Sequence, residues 1–352
     1  MAKTTLVVGA GATIAEAKRL HSDPLPPLDR DFFSRLSDTR LSDFLPIAGY
    51  MKKRYGVNIA DPPEDSLEAV MSTIYADVRH SQLGPQAATA FRALIRAVNA
   101  ELAISTNKMD TDAESHLCRV VRKLMGEGTS LDEIAFVTFN YDLQIEKALE
   151  ALERDGVTTS SGVALNFPHC YHLLDLEVTG PTRRSGVFAM GDKAKGGVPI
   201  FKLHGSLNWY STHNSRNPSI GALLRTSRTI RITARHEPSV GMTLGGARKS
   251  HTYPVVIPPV LNKSAILPDG FFQIWTDAER HLAQSEEVVM FGYSCPAFDL
   301  EAANLMARSL RGSAALRSIS IIDPNPEVMT RYARLCRAER IAYYESADAY
   351  LT

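Results

Sequence analysis

The sequence has little of three features: net charge, closely spaced cysteines and long apolar runs. Lysine and arginine together number 39, as do aspartate and glutamate, so charge gives no reason to expect a nucleic acid or an anionic membrane as a direct partner. No apolar run is long enough to cross a bilayer, and the N-terminal one is too short for a signal peptide. These absences predict a cytoplasmic protein without a membrane partner.

Cysteine is scarce as well. Its four residues are spread over the chain: Cys118, Cys170, Cys295 and Cys336. They make no C-x-x-C pair, so the spacing of a structural zinc site is absent, and a disulfide framework has no support either. We therefore expect no metal, and we expect each cysteine to be a small apolar residue in or near the core.

The sequence does contain a series of short apolar runs that end in polar or glycine turns. The runs TTLVV, EIAFVT, VPIFKLHGSLNWY, EEVVMF and SISII carry or precede the turns GAGAT, FNYD, LHGS, GYS and DPN. Segments with helical spacing, such as LQIEKALEALERDG and LEAANLMARSLRG, separate several of them. Strands separated by helices predict a doubly wound α/β sheet whose ligand site lies along the carboxyl ends of the strands.

Two segments interrupt this alternation. Residues 34–130 follow a proline-rich loop and show helical patterns, which predict an inserted helical module. Residues 211–253 carry seven basic residues against the single acid Glu237 and predict a small basic insertion, either a solvated hairpin or a surface that binds a partner or nucleic acid. The basic residues are Arg216, Arg225, Arg228, Arg231, Arg235, Arg248 and Lys249. The remaining segments, 1–33, 131–210 and 254–352, form the predicted core of a single domain spanning 1–352.

The turn GAGAT contains the first two glycines of a dinucleotide-binding fingerprint, Gly9 and Gly11, but has Ile14 at the third position. A phosphate-binding turn and a simple tight turn both fit this pattern. No second strand follows directly, which counts against an ordinary nicotinamide dehydrogenase, because its ribose-binding acid sits at the end of that strand.

Polar residues at the later strand ends also have two interpretations each. Asp142 suits the N-cap of the helix that follows it, whereas Asn140 is harder to explain structurally. His204 is either a histidine hydrogen-bonded within the core or an acid/base residue. Lys202 alternates with apolar neighbours, so we expect it to point to the opposite sheet face, toward a carboxylate, and assign it no chemistry.

Taken together and in this order, GAGAT, FNYD, LHGS, GYS with a later acidic residue, and DPN resemble the motifs of the sirtuin fold. They are most similar to those of the SIR2-like, NAD-hydrolysing proteins of bacterial anti-phage defence, in which N-Y-D and K-L-H-G-S motifs recur. The resemblance runs from about residue 4 to about residue 345. It implies a sirtuin-like, Rossmann-type parallel sheet carrying the helical module and the basic insertion.

The resemblance also implies that the chain binds NAD and cleaves its nicotinamide–ribose bond. Catalysis would involve Asn140, Asp142 and His204, with His204 as the acid/base facing the ribose hydroxyls. The remaining contacts to NAD would come from Gly9, Ala10, Gly11 and Thr13 at the phosphates, Gly292 and Ser294 at the phosphate or ribose wall, and Asp323 and Asn325 near the adenosine half.

The chain departs from protein-deacylating sirtuins in lacking their two C-x-x-C pairs, and it has a long helical insertion instead. The departure favours hydrolysis of NAD itself, with water as acceptor. An NAD-dependent protein deacylase and a non-catalytic subunit that binds NAD or ADP-ribose are the alternative hypotheses. The resemblance further implies a homo-oligomer or a separate partner such as a HerA-type ATPase.

Overall fold

The computed structural model describes most of the chain. The described residues are 3–29, 32–36, 41–56, 66–80, 82–171, 176–178, 186–188, 196–213, 230–232, 243–244, 250–257, 260, 269–296, 299–336 and 340–352. No helix in these ranges is long and apolar enough to span a membrane. The six basic residues 216, 225, 228, 235, 248 and 249 of the predicted insertion lie outside them.

A six-stranded, all-parallel sheet forms the centre of the described fold. Its strands, in chain order, are β1 (Thr4–Val8), β2 (Ile134–Thr138), β5 (Ile200–Lys202), β10 (Glu287–Phe291), β11 (Ser318–Ile322) and β12 (Arg340–Tyr344). All residues of β1 and β2 are buried, as expected for strands covered on both faces. The order across the sheet is β5-β2-β1-β10-β11-β12, which is the doubly wound order of dinucleotide-binding folds. The predicted fold class is confirmed.

Helices that follow these strands form two packed groups. The first contains α1 (Ala10–Arg19), α6 (His116–Gly126), α7 (Gln144–Arg154) and the C-terminal α11 (Ala347–Leu351), with α6 contacting the other three. The second contains α8 (Asp269–Gln284), α9 (Leu300–Leu310) and α10 (Glu327–Leu335). Right-handed crossovers that run in opposite directions from the middle of a parallel sheet place their helices on opposite faces, which gives two groups of helices. Here the direction changes between β1 and β10.

The segment predicted as a helical module contains helices. They are α2 (Phe32–Leu36), α3 (Leu41–Tyr55), α4 (Leu67–His80) and the 23-residue α5 (Gly84–Thr106), followed by α6. Helix α5 packs against both α3 and α4 and buries an apolar stripe that includes Phe91, Leu94 and Val98. The division of the chain into core, helical module and basic insertion stays a prediction.

A second, mixed sheet was not anticipated. It has the order β4-β3-β7-β6-β9-β8 and comprises β3 (Leu176–Val178), β4 (Gly186–Phe188), β6 (Gly205–His213), β7 (Ile230–Ile232), β8 (Thr243–Leu244) and β9 (Ser250–Val256). The prediction of one strand through VPIFKLHGSLNWY is wrong, because β5 ends at Lys202 and β6 begins at Gly205 in the other sheet. Gly205 has a φ of +89°, which L side chains rarely adopt, and this glycine turns the chain from one sheet into the next.

Candidate functional site

The first turn of the site joins β1 to α1 and packs closely on the end of β10. A Cβ atom on Gly9 would lie 2.4 Å from the carbonyl oxygen of Gly292, and one on Gly11 would lie 2.8 Å from its Cα. The Gly11 amide donates a 2.9 Å hydrogen bond to the Gly292 carbonyl. All three glycines are therefore required by backbone packing at the point where the sheet changes direction. Ala10, the first residue of α1, is exposed at the N-terminus of this helix.

Three predicted site residues lie together at the carboxyl ends of β1 and β2. The Thr13 hydroxyl donates a 2.7 Å hydrogen bond to Asp142 Oδ2 and accepts a 3.1 Å bond from Asn140 Nδ2. All three side chains are buried. Thr138, the last residue of β2, connects the ends of β1 and β2, because its hydroxyl donates to the Val8 carbonyl and accepts from the Asn140 backbone amide. Thr13, Asn140 and Asp142 form what we call the polar cluster.

The prediction that Asp142 is the N-cap of α7 is wrong by one residue, because the N-cap is Leu143. Asp142 Oδ1 still accepts a 3.0 Å hydrogen bond from the backbone N–H of Gln144, the first residue of α7, in an Asx turn just ahead of the helix. Its Oδ2 bonds Thr13 in the polar cluster. One carboxylate thus fixes the start of α7 and connects it to α1.

His204 lies just after β5, among aromatic side chains. Its ring centroid is 5.2 Å from that of Phe139, 6.2 Å from Tyr141 and 6.3 Å from Trp275. Phe139 and Tyr141 are the neighbours of Asn140 in the chain, so the histidine packs against both sides of the FNYD turn. Trp275 is held in turn by a 3.1 Å hydrogen bond from its Nε1 to the Leu203 carbonyl.

The glycine after His204 does not leave room for a ligand. A Cβ atom at Gly205 would lie 2.1 Å from the Val255 carbonyl oxygen. The space is occupied by the backbone of β9, and the Ile257 amide donates a 2.8 Å hydrogen bond to the His204 carbonyl. Gly205 is needed for the junction between the two sheets.

Asp299 is a residue of this site whose role the sequence did not reveal. Its Oδ2 lies 3.8 Å from Nε2 of His204, and both side chains are more than nine-tenths buried. The hydroxyl of Tyr293 donates a 3.1 Å hydrogen bond to the same oxygen. The only sequence signal was an acidic residue after GYS, and its proximity to His204 depends on the sheet order.

The remaining predicted residues follow the carboxyl ends of two strands: Gly292 and Ser294 follow β10, and Asp323 and Asn325 follow β11. Asp323 Oδ1 accepts the N–H of Asn325, and Asn325 Oδ1 accepts the N–H of Glu327 at the start of α10. Burial raises the pKa of Asp323, while the Asn325 N–H and the positive charge of Arg331 oppose the rise. Arg331 also donates a 3.0 Å hydrogen bond to the Ser294 carbonyl, so Ser294 and Asp323 both lie close to this guanidinium.

A buried network supports the FNYD turn from below. Lys202 is fully buried, and its Nζ donates to the Asp142 carbonyl and, over 3.0 Å, to Glu146 Oε1. The Tyr171 hydroxyl donates to the same carboxylate oxygen and accepts from Asn208, whose own Oδ1 accepts from Ser206. The sequence predicted a carboxylate partner for Lys202, and Glu146 is that partner. Its bond to the Asp142 carbonyl was missed.

The four cysteines are buried and unpaired with one another, as expected. Burial raises the pKa of Cys295 to about 12 and that of Cys336 to about 11. Over the described ranges, His, Cys, Asp and Glu side chains form no group of three or more that could hold a metal ion.

Comparisons with known proteins give weak similarities. No family model and no curated protein matches the chain. Among solved structures, that of Sir2Tm bound to a propionylated peptide is 11% identical with a TM-score of 0.39, covering 98% of this chain and 89% of that one. A structure on the basis of sirtuin substrate affinity is 10% identical with a TM-score of 0.41, covering 98% and 90%. A Sir2–p53 peptide–NAD+ structure is 11% identical with a TM-score of 0.39, covering 99% and 90%.

Proposed function

We propose that this chain is an NAD+ glycohydrolase, which cleaves the nicotinamide–ribose bond with water and yields nicotinamide and ADP-ribose. One observation carries the proposal: Thr13, Asn140 and Asp142 are hydrogen-bonded to one another at the carboxyl ends of β1 and β2. This is the edge of a doubly wound sheet where ligands bind, next to the position at which the strand order reverses.

The surrounding backbone suits a dinucleotide substrate. The N-terminus of α1 is exposed at Ala10, and the positive end of the helix dipole there favours phosphate, although the amides of Gly9, Gly11 and Ala12 donate to backbone carbonyls. Asp323 and Asn325 follow β11, two strands away from β1 in the same parallel sheet. In our proposal the pyrophosphate lies at the glycine turn, with Gly292 and Ser294 beside it, and the adenosine extends toward Asp323 and Asn325.

The residue types suit the chemistry. As the ribose C1′–N bond breaks, nicotinamide leaves and the ribose carbon gains oxocarbenium character, so the site has to orient water and stabilise developing positive charge. The Asn140 amide can hold a water or a ribose hydroxyl without bringing a charge of its own. His204 accepts the proton lost by the attacking water. The Asp142 carboxylate adds negative charge beside the reacting ribose.

The physiological part of the proposal depends on the sequence motifs. SIR2-like defence proteins deplete NAD during phage infection, and we propose the same role here, in the cytoplasm. Activity would be triggered by assembly into a homo-oligomer or by a separate partner such as a HerA-type ATPase. The four cysteines, none in a C-x-x-C pair, favour this role over protein deacylation.

Asn140→Ala and His204→Ala test the proposal directly. We expect the wild-type protein to release nicotinamide and ADP-ribose from NAD. His204→Ala should lower the rate constant by about 10²- to 10⁴-fold, the usual contribution of an acid/base group, and Asn140→Ala by about 10²- to 10³-fold, as for loss of one orienting hydrogen-bond donor. Chromatography of the reaction products at several protein concentrations, with and without a partner, provides the measurement. An acyl-lysine peptide added in parallel shows whether NAD consumption requires a protein acceptor.

His21→Asn is the matched control. It removes an exposed histidine just beyond the far end of α1, about 15 Å along the helix from the glycine turn, and asparagine tolerates the φ of 50° found there. Thermal unfolding of each variant separates loss of folding from loss of catalysis. Absence of nicotinamide release in every assembly state, or equal rates for the wild type and both alanine variants, would refute the proposal.

A further inference from the structure

The structure brings a carboxylate up to the imidazole of His204 from a distant part of the chain. Asp299 Oδ2 lies 3.8 Å from His204 Nε2, an ion-pair distance rather than a short hydrogen bond. The two side chains are 5% and 7% exposed. Opposite charges at this separation interact more strongly in a buried site than at the surface, because little water screens them.

Asp299 is held in place from two sides. Its Oδ1 accepts the N–H of Ala302 over 3.4 Å and so caps α9, while its Oδ2 accepts the Tyr293 hydroxyl over 3.1 Å. Tyr293 is itself fixed, since its ring stacks on Phe139 at 4.2 Å. A donated hydrogen bond stabilises the ionised form of a carboxyl group.

The His204 ring is fixed by the same aromatic residues. Phe139 packs edge-on against His204 and face-on against Tyr293, so one phenyl ring sets the positions of both partners of Asp299. Trp275 packs against His204 and Phe139 as well. This packing restricts rotation of the imidazole and keeps Nε2 directed toward Asp299.

Two tyrosines and a cysteine close to the pair have raised pKa values, so they carry no negative charge near pH 7. Burial, reinforced by nearby acids, raises the pKa of Tyr141 beside His204 and that of Tyr293 beside Asp299. Burial also raises the pKa of Cys295, with Asp299 adding to the rise and Arg331 opposing it. The charges of Glu68, in the helical module, and of Asp29, in the segment before it, also raise the pKa of Tyr141. Among the residues that the structure describes, Asp299 is the carboxylate at ion-pair distance from the imidazole.

We propose that Asp299 is a positioning residue that orients His204 and stabilises its protonated form. The inference rests on the proposed function, in which His204 accepts a proton from the attacking water. The carboxylate does not contact the substrate. It acts through His204, because a fixed negative charge beside the imidazole favours the imidazolium that forms during the reaction.

Asp299→Asn distinguishes this role from helix capping alone. Asparagine has nearly the same shape and is an equally good capping residue, but it carries no charge. We expect the pKa of His204, followed by NMR of histidine-labelled protein and assigned with His204→Asn, to fall by about one pH unit in the variant, as for loss of an opposite charge within 4 Å. In a plot of the NAD hydrolysis rate against pH, the acidic limb should move to lower pH by the same amount.

Tyr293→Phe gives a second, milder variant that keeps the ring stacked on Phe139. It removes one hydrogen bond from the carboxylate but leaves the negative charge in place, so we expect the His204 pKa to stay closer to the wild-type value than in Asp299→Asn. An unchanged His204 pKa in Asp299→Asn would overturn the positioning role, whatever the turnover. A lowered His204 pKa in a protein that never hydrolyses NAD would leave the ion pair standing and overturn the proposed function.

Discussion

At the scale of single residues, Lys202 places an ammonium group where the side chain is 0% exposed. Burying a charge is costly unless it is paired, and Lys202 pairs with Glu146 while also bonding the Asp142 carbonyl. Glu146 receives the Tyr171 hydroxyl on the same oxygen. The charge is therefore held by a carboxylate and by the backbone of the FNYD turn.

Lys202→Met should lower the free energy of unfolding by about 3–5 kcal/mol, because it leaves the Glu146 carboxylate buried without its counter-charge. Urea denaturation at pH 7 measures the loss. In the double variant Lys202→Met/Glu146→Gln the remaining buried charge is removed, so the total loss should be smaller than the sum of the two single losses. Additive losses would contradict a coupled pair.

At the scale of secondary-structure elements, α1 is tied to α6 through Glu16. Its Oε2 accepts the His116 N–H over 3.0 Å and lies 3.3 Å from His116 Nδ1, while its Oε1 accepts from Arg19 over 2.6 Å. Burial alone would raise the pKa of Glu16, but the hydrogen bonds from His116 and Arg19 outweigh it and lower the pKa to about 2. Helix α1 carries Thr13, so this contact also positions the polar cluster.

The low pKa of Glu16 predicts an acid-dependent loss of stability. The folded-state pKa lies below the ordinary value of 4.5, so the ionised group stabilises the fold above about pH 4.5, and this contribution disappears as the pH falls toward 2. Glu16→Gln should cost about 3 kcal/mol at pH 7, and the difference from the wild type should shrink at pH 3. Denaturant titrations at both pH values test this. A difference that stays constant with pH would contradict it.

Elements with strong apolar runs were predictable, whereas those defined by a single glycine were not. TTLVV and IAFVT are uniformly buried parallel strands, as their composition indicates. In IFKLHGSLNWY the apolar pattern continues across the break at Gly205, so nothing in the periodicity revealed the change of sheet. The polar residues proposed for the site could be selected from the sequence because they directly follow apolar strands. The contacts of Asp299 and Lys202 depend on tertiary packing that a single sequence does not specify.

At the scale of the whole molecule, the two sheets meet at His204 and Gly205. The main sheet ends there with β5, and β6 begins the second sheet while pairing with β9. The carbonyl of Tyr141 accepts the Leu207 amide, and the Tyr141 hydroxyl donates to the Ile257 carbonyl. The second sheet is thereby bonded directly to the FNYD turn.

Gly205→Ala should destabilise this junction strongly, and Gly156→Ala is its matched control. Both glycines have positive φ, +89° and +77°, so alanine is strained at both, by about 1–2 kcal/mol. Only Gly205 is crowded, by the Val255 oxygen at 2.1 Å, whereas an added Cβ at Gly156 meets nothing within 4 Å. Thermal and urea unfolding should show the larger loss for Gly205→Ala. Equal losses would mean that the backbone at the junction can shift to accommodate the added Cβ atom without a further loss of stability.

The bonds between the second sheet and the FNYD turn also allow the carboxyl ends of the main-sheet strands to be observed without any enzymatic assay. The amide protons of Leu207 and Ile257 are donated to the carbonyls of Tyr141 and His204, so each exchanges with solvent deuterium only when its bond opens. A ligand that orders the backbone around the FNYD turn and His204 is expected to slow both exchange rates together. These two amides therefore serve as built-in probes for screening nucleotides against this protein.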